Sequence, residues 1–216
     1  MTHADLTTES PYNPILRGGS PPPLMLVLSG PSGVGKDSVV QALKARGLPF
    51  HFVVTMTTRP PREGEVDGRD YHFVSKETFS RLLEEGELLE WAQVYGNYYG
   101  VPRSQVREAL QRGQDVIMRV DVQGASTLKQ LAPEAIFVFL APPSLETLAR
   151  RLRARGKDSE AEITLRLKTA EREMEAVGIF DYVVINRDGA LEETVDRILA
   201  ILQAEKHRVI PRRVTI

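Results

Sequence analysis

Apolar positions fall in short continuous runs separated by polar stretches of helix length. Residues 24–29, 50–55, 116–121 and 135–140 are β-branched or aliphatic runs of the kind buried on both faces of a parallel sheet, and 182–185 is a fifth, shorter one. Residues 36–46 and 104–112 take helical spacing, and Leu191, Val195, Ile198, Leu199 and Leu202 form a single apolar stripe that predicts a C-terminal helix packed on the sheet. Strands alternating with helices predict an α/β fold, a three-layer, mostly parallel sheet with right-handed crossovers.

Two stretches break this rhythm. Across 56–101 the pattern shortens: 71–75 alternates as a half-buried strand, 76–85 carries Phe79, Leu82 and Leu83 on one helical face, and 88–94 is strand-like again. This predicts an inserted α+β subdomain. From Ser144 the chain turns helical and arginine-rich, with Arg150, Arg151, Arg153, Arg155, Arg166 and Arg172 and a break at Gly156. Residues 1–23 are polar, then rich in proline and glycine, without the apolar core of a signal peptide, and read as a disordered extension. The domain is expected over 24–207, with 208–216 as a tail.

Composition changes little in this picture. At 216 residues, with 42% hydrophobic and 26% charged residues, the chain can bury an ordinary core, and a net charge of −1 gives no global field to recruit nucleic acid or an anionic membrane. Any anion site must be local. The absence of cysteine excludes disulfides and thiolate chemistry and suits a cytoplasmic enzyme. No apolar stretch reaches the length of a membrane span, and His3, His51, His72 and His207 lack metal-ligand spacing.

The local anion site stands between the first strand and the first helix. Gly30-Pro31-Ser32-Gly33-Val34-Gly35-Lys36 fits the phosphate-loop pattern G-x-x-x-x-G-K, in which glycines let amide NH groups converge on phosphate oxygens at a helix N-terminus and the lysine adds a mobile charge. The pattern's last place, usually Ser or Thr, is Asp37, and Ser38 stands one step later. In the insert, Arg59 and Arg62 flank Pro60-Pro61 and are candidates for a second phosphate, although pairing with Glu63, Glu65 or Asp67 is the competing reading. Arg155 and Arg166 are candidates for arginine fingers closing over a transferring phosphoryl group.

These residues resemble the guanylate kinases over about 24–207. The resemblance rests on the phosphate loop, Thr-Thr-Arg-Pro-Pro-Arg-Glu-Gly-Glu at 57–65, Asp-Tyr-His-Phe-Val at 70–74, Glu-Trp-Ala at 90–92, Gly-Asn-Tyr-Tyr-Gly at 96–100, Asp-Val-Gln-Gly at 121–124 and Arg-Leu-Arg-Ala-Arg-Gly at 151–156. It implies phosphoryl transfer from ATP to GMP or dGMP with Mg²⁺, a GMP-binding insert at 56–101 and a mobile lid at 145–175. It further implies that Arg59, Arg62, Tyr71 and Tyr99 hold the GMP phosphate, that Thr55, Glu90 and Asp121 read guanine, that residues 30–38 bind ATP and that Asn186 lies near adenine. Lys36, Arg62, Arg155 and Arg166 would carry the catalytic charge. Three positions depart from the family pattern: Asp37 at the place of a magnesium-binding serine, leaving it as the tentative metal residue, Arg119 at the place of an acid, and Val101 at the place of a hydroxyl. Two rivals share the motifs: a non-catalytic module binding phosphopeptides, and a kinase for another small phosphate acceptor.

Overall fold

A computed structural model describes residues 11–154, 156 and 159–216. Five parallel strands make the main sheet in the order β2 (His51–Phe52), β7 (Val116–Arg119), β1 (Met25–Ser29), β8 (Ile136–Ala141) and β9 (Tyr182–Ile185). Alternation along β1 divides the core in two. Leu26 and Leu28 pack with Val39 and Leu43 of α1 (Lys36–Ala45) and Ile198 and Leu202 of α7 (Leu191–Lys206). Met25 and Val27 face the other way, toward Val106 of α3 (Arg103–Gln111) and Leu128 of α4 (Val122–Leu131). Both faces of the sheet are covered, which is why its strands read as unbroken apolar runs.

The insert is a four-stranded sheet in the order β4 (His72–Phe73), β3 (Met56–Thr57), β6 (Asn97–Pro102) and β5 (Leu88–Val94), with α2 (Lys76–Glu84) beside it. The strand expected over 50–55 is shorter, His51–Phe52 alone, and the next strand, β3, begins at Met56 in the insert's sheet. After Phe52 the chain leaves the main sheet, because the Gln105 side chain accepts from Val54 N at 3.0 Å and donates to Val54 O at 3.2 Å in place of a strand partner. β6 was not expected from the apolar pattern: its Asn-Tyr-Tyr-Gly is half-polar, and it is held by antiparallel pairing to β5 and β3.

The arginine-rich segment forms α5 (Leu145–Ala154) and α6 (Glu160–Glu175), whose Leu148, Leu152, Ile163 and Ala170 make a small core of their own. The expectation of a disordered extension needs correction over residues 13–22. Asn13 is buried, donating through Nδ2 to Lys206 O (2.8 Å) and Arg208 O (3.0 Å), and it caps a 3₁₀ turn at Pro14–Arg17. Lys206 in turn donates to Pro22 O at 3.0 Å. A segment without an apolar stripe is docked here by backbone carbonyls at the end of α7, partners that hydrophobic patterning does not reveal.

Candidate functional site

β1 and β7 end at a cleft roofed by the insert and bounded by sheet, insert and α6. The carboxyl ends of parallel strands are where ligands bind in such sheets. The phosphate loop forms one wall. Gly30 has φ 139°, and a Cβ there would stand 2.1 Å from Leu140 O; Gly35, at φ 102°, would place one 2.6 Å from Asn186 Nδ2. Neither position admits a side chain, so the loop lies tight against β8 and against Asn186 just after β9. Lys36 Nζ folds back onto the loop's own Gly30 and Pro31 carbonyls, and its desolvation holds the ammonium below its ordinary pKa.

Asn186, expected near adenine, stands behind the phosphate loop. It is buried, its Nδ2 donates to Val34 O at 2.8 Å and its Oδ1 accepts from Thr194 Oγ1 at 3.1 Å. Both ends of the amide are used to support the loop from beneath. Arg151 adds to the same support, donating to Val34 O and Asn186 O. Among the expected loop residues, Gly30, Ser32, Lys36 and Asp37 line the cleft, whereas Pro31, Gly33, Val34, Gly35 and Ser38 do not.

Across the cleft, Arg59, Arg62, Tyr71 and Tyr99 come together as expected. Arg59 is buried, its fork bonded to both oxygens of Glu65 at 2.8 and 3.0 Å and its face over the rings of Tyr71 and Phe73. Glu65, one of the competing partners, is thus the ion-pair partner of Arg59. Arg62 stands exposed at the mouth, with its backbone N–H bonded to the same Glu65. Tyr71 and Tyr99 meet edge to face at 6.2 Å.

Deeper in, Thr55, Glu90 and Asp121 share one pocket. Asp121 caps α4, its Oδ1 accepting from Gly124 N at 2.7 Å, and a Cβ on Gly124 would lie 2.5 Å from Glu90 Oε2. The glycine makes room for the second carboxylate. Burial, and then the neighbouring Asp121, push the Glu90 carboxyl up to about 8, and burial also raises Asp121. Val101 is the strand partner of Glu90 and carries no hydroxyl, and Glu90 Oε2 has no internal donor.

That orphan has company. Seven buried side-chain polar atoms among the described residues lack a hydrogen-bond partner, and five of them line this cleft: Thr55 Oγ1, Arg59 Nε, Glu90 Oε2, Arg119 Nε and Glu173 Oε2. Each costs about 1–3 kcal/mol unless something enters to satisfy it. The cleft is built for a polar, partly anionic ligand.

Arg166 of α6 reaches the cleft, donating to Ser32 Oγ at 3.0 Å and stacking 4.6 Å from the centre of the Tyr95 ring at the tip of the β5–β6 hairpin. Arg155 lies outside the described residues. Sequence reasoning missed Glu173, Tyr95 and the role of Gly124. Glu173 stands seven residues after Arg166, on the same helical face, and that spacing is the signal that could have found it.

Comparison with known proteins agrees with this geometry. The family model for guanylate kinase matches residues 23–205. The chain is 48% identical over 197 residues to guanylate kinase 2, chloroplastic/mitochondrial, of rice, covering 91% of this chain and 69% of that protein. It is 47% identical to a guanylate kinase of Synechococcus, covering 90% and 86%. The crystal structure of guanylate kinase from Anaplasma phagocytophilum superposes with a TM-score of 0.72 at 34% identity, covering 88% and 89%. A match this long takes in the sheet, the insert and both helices of the arginine-rich segment, and by it the chain belongs to the guanylate kinase family.

Proposed function

We propose that this chain transfers the terminal phosphoryl group of ATP to the phosphate of GMP, giving ADP and GDP, with dGMP as a second acceptor. The observation that carries the reading is the set of orphaned polar atoms facing one another across the cleft, some beside the phosphate loop and some in the insert. Two ligands meeting there satisfy both sides.

ATP phosphates take the amides of the phosphate loop at the N-terminus of α1, and Lys36 exchanges the Gly30 and Pro31 carbonyls for phosphate oxygens. The GMP phosphate takes Arg62, Tyr71 and Tyr99, together with Arg59 aligned by Glu65. Guanine offers a ring NH and an exocyclic amine side by side; Glu90 accepts both, with Asp121 and Thr55 alongside. Adenine lacks that pair of donors and would leave a buried carboxylate unmatched. A loose phosphoryl transition state asks for in-line positioning and neutralisation of oxygen charge, which Lys36, Arg62, Arg155 and Arg166 supply. Closure of α5 and α6 over the cleft excludes water.

Among the described residues no three acidic or histidine side chains form a ready cage for a metal. Mg²⁺ borne on ATP phosphates needs only one or two carboxylates and keeps its waters, and Asp37, whose side chain is 57% exposed at the cradle, fits that demand. When bound there it neutralises phosphate charge. The intact loop, lysine and Arg166 favour catalysis over a phosphopeptide-binding module. Phosphorus NMR of the protein with ATP, GMP and Mg²⁺ tests the reading: equal amounts of ADP and GDP are expected, and release of inorganic phosphate without GDP would overturn it.

A further inference from the structure

Arg119, at the end of β7, has a side chain only 9% exposed within the cleft. A guanidinium is costly to bury unless its charge and donors are answered. Here three of its features are answered from two separate pieces of chain, the first turn of α1 and the Asp70-Tyr71 segment of the insert. Nε lies 2.8 Å from Asp37 Oδ1 in the first turn of α1 but out of hydrogen-bonding line, so charge holds that contact. Nη2 donates to Asp70 O at 2.7 Å. The guanidinium carbon stands 4.6 Å from the centre of the Tyr71 ring.

Asp37 directly follows Lys36 of the phosphate loop, whereas Asp70 and Tyr71 belong to the insert. The Asp70 carboxylate itself accepts from Val66 N at 2.9 Å, ordering the loop on which it stands. A single side chain rooted in the sheet thus sets the distance between the donor cradle and the tyrosine that faces the acceptor phosphate. Because Asp37 already balances its charge, Arg119 serves geometry more than charge neutralisation. We propose that Arg119 is a positioning residue that fixes the acceptor-phosphate pocket against the phosphate loop, a role that rests on the GMP reading of the insert.

Lysine would keep the charge but not the planar fork and face that reach three partners at once. The test compares Arg119→Met and Arg119→Lys with the wild type at saturating Mg²⁺, reading kcat, KM for GMP, KM for ATP and Tm. Arg119→Met is expected to raise KM for GMP by about tenfold or more while KM for ATP moves less than about threefold, with Arg119→Lys in between. A merely structural role would lower Tm and leave that split unmoved. Should Arg119→Met not fold, Arg119→Lys still decides, with a selective rise in KM for GMP expected. KM for GMP within about twofold of wild type in a folded variant, or equal rises in both KM values, would overturn the proposal. A wild type that does not phosphorylate GMP at all is a different result, which overturns the site reading and this role with it.

Discussion

Titration of Glu90 gives the base pocket a pH signature. The carboxyl is buried, lacks an internal donor and stands beside Asp121, which places its pKa at about 8. At neutral pH the ligand-free protein therefore holds it mostly protonated, whereas guanine's two donors require the ionised form. Binding must then release close to one proton. The ionised fraction falls from about one half at pH 8 to about one eleventh at pH 7, so GMP affinity should fall roughly fivefold over that unit and approach tenfold, about 1.4 kcal/mol, per unit only further below. Stability has the opposite trend: a raised carboxyl pKa stabilises the ligand-free fold below the unfolded value, and that contribution is lost as pH rises toward 8. Trp91, the only tryptophan, adjoins Glu90 on β5 and is 43% exposed, so its fluorescence can follow GMP binding between pH 6.5 and 8. Calorimetry in buffers of different ionisation enthalpy counts the proton. The acceptor phosphate titrates near pH 6 and contributes equally to wild type and Glu90→Gln. Glu90→Gln should bind more weakly and lose the steeper slope. A wild-type affinity flat across this range, or the same slope in Glu90→Gln, would refute the reasoning.

Arg166→Ala should lower kcat on the order of 10³-fold with a smaller change in KM for GMP, and steady-state kinetics separates the two; Arg155→Ala should behave alike. An effect below about threefold would return either residue to a surface role. Gly124→Ala should raise KM for GMP while the protein stays folded, because its Cβ would press on the Glu90 carboxylate at 2.5 Å; an unchanged KM would show that Glu90 can yield. Asn13→Ala should cost about 1–3 kcal/mol in urea unfolding and leave kcat intact, since it strips hydrogen bonds from carbonyls at the end of α7.

Much of the fold was legible because its inner strands are buried on both faces and its edge strand β9 is still wholly apolar. β1, β7, β8 and β9 showed as unbroken apolar runs, and the α7 stripe placed a helix against them. The strand at β6 and the early end of β2 were hidden, since tyrosines, a glycine and the Gln105 side chain carry their pairing rather than apolar periodicity. The docking of Asn13 was hidden for the same reason. In the site, the phosphate loop was visible by itself, because few residue patterns other than glycines followed by lysine can fold so tightly. Thr55, Tyr71, Glu90, Tyr99 and Asp121 were reached only through resemblance. They come from different elements, and nothing in their local spacing declares that they meet. Asn186 was reached the same way, and its amide bonds Val34 O of the loop and Thr194 of α7. Arg119 and Asp37 stood out in sequence as charges in unexpected places, and the structure pairs them at 2.8 Å.

The central claim is that this cleft phosphorylates a guanine nucleotide and not simply a small phosphate. Comparing GMP, dGMP, AMP and ribose 5-phosphate as acceptors in a coupled ADP-release assay with ATP and Mg²⁺ addresses it most directly. GMP should lead AMP by on the order of 10²-fold or more in kcat/KM, because adenine strands the Glu90 and Asp121 carboxylates, with dGMP accepted and ribose 5-phosphate inert. AMP or ribose 5-phosphate turned over as well as GMP would contradict the account.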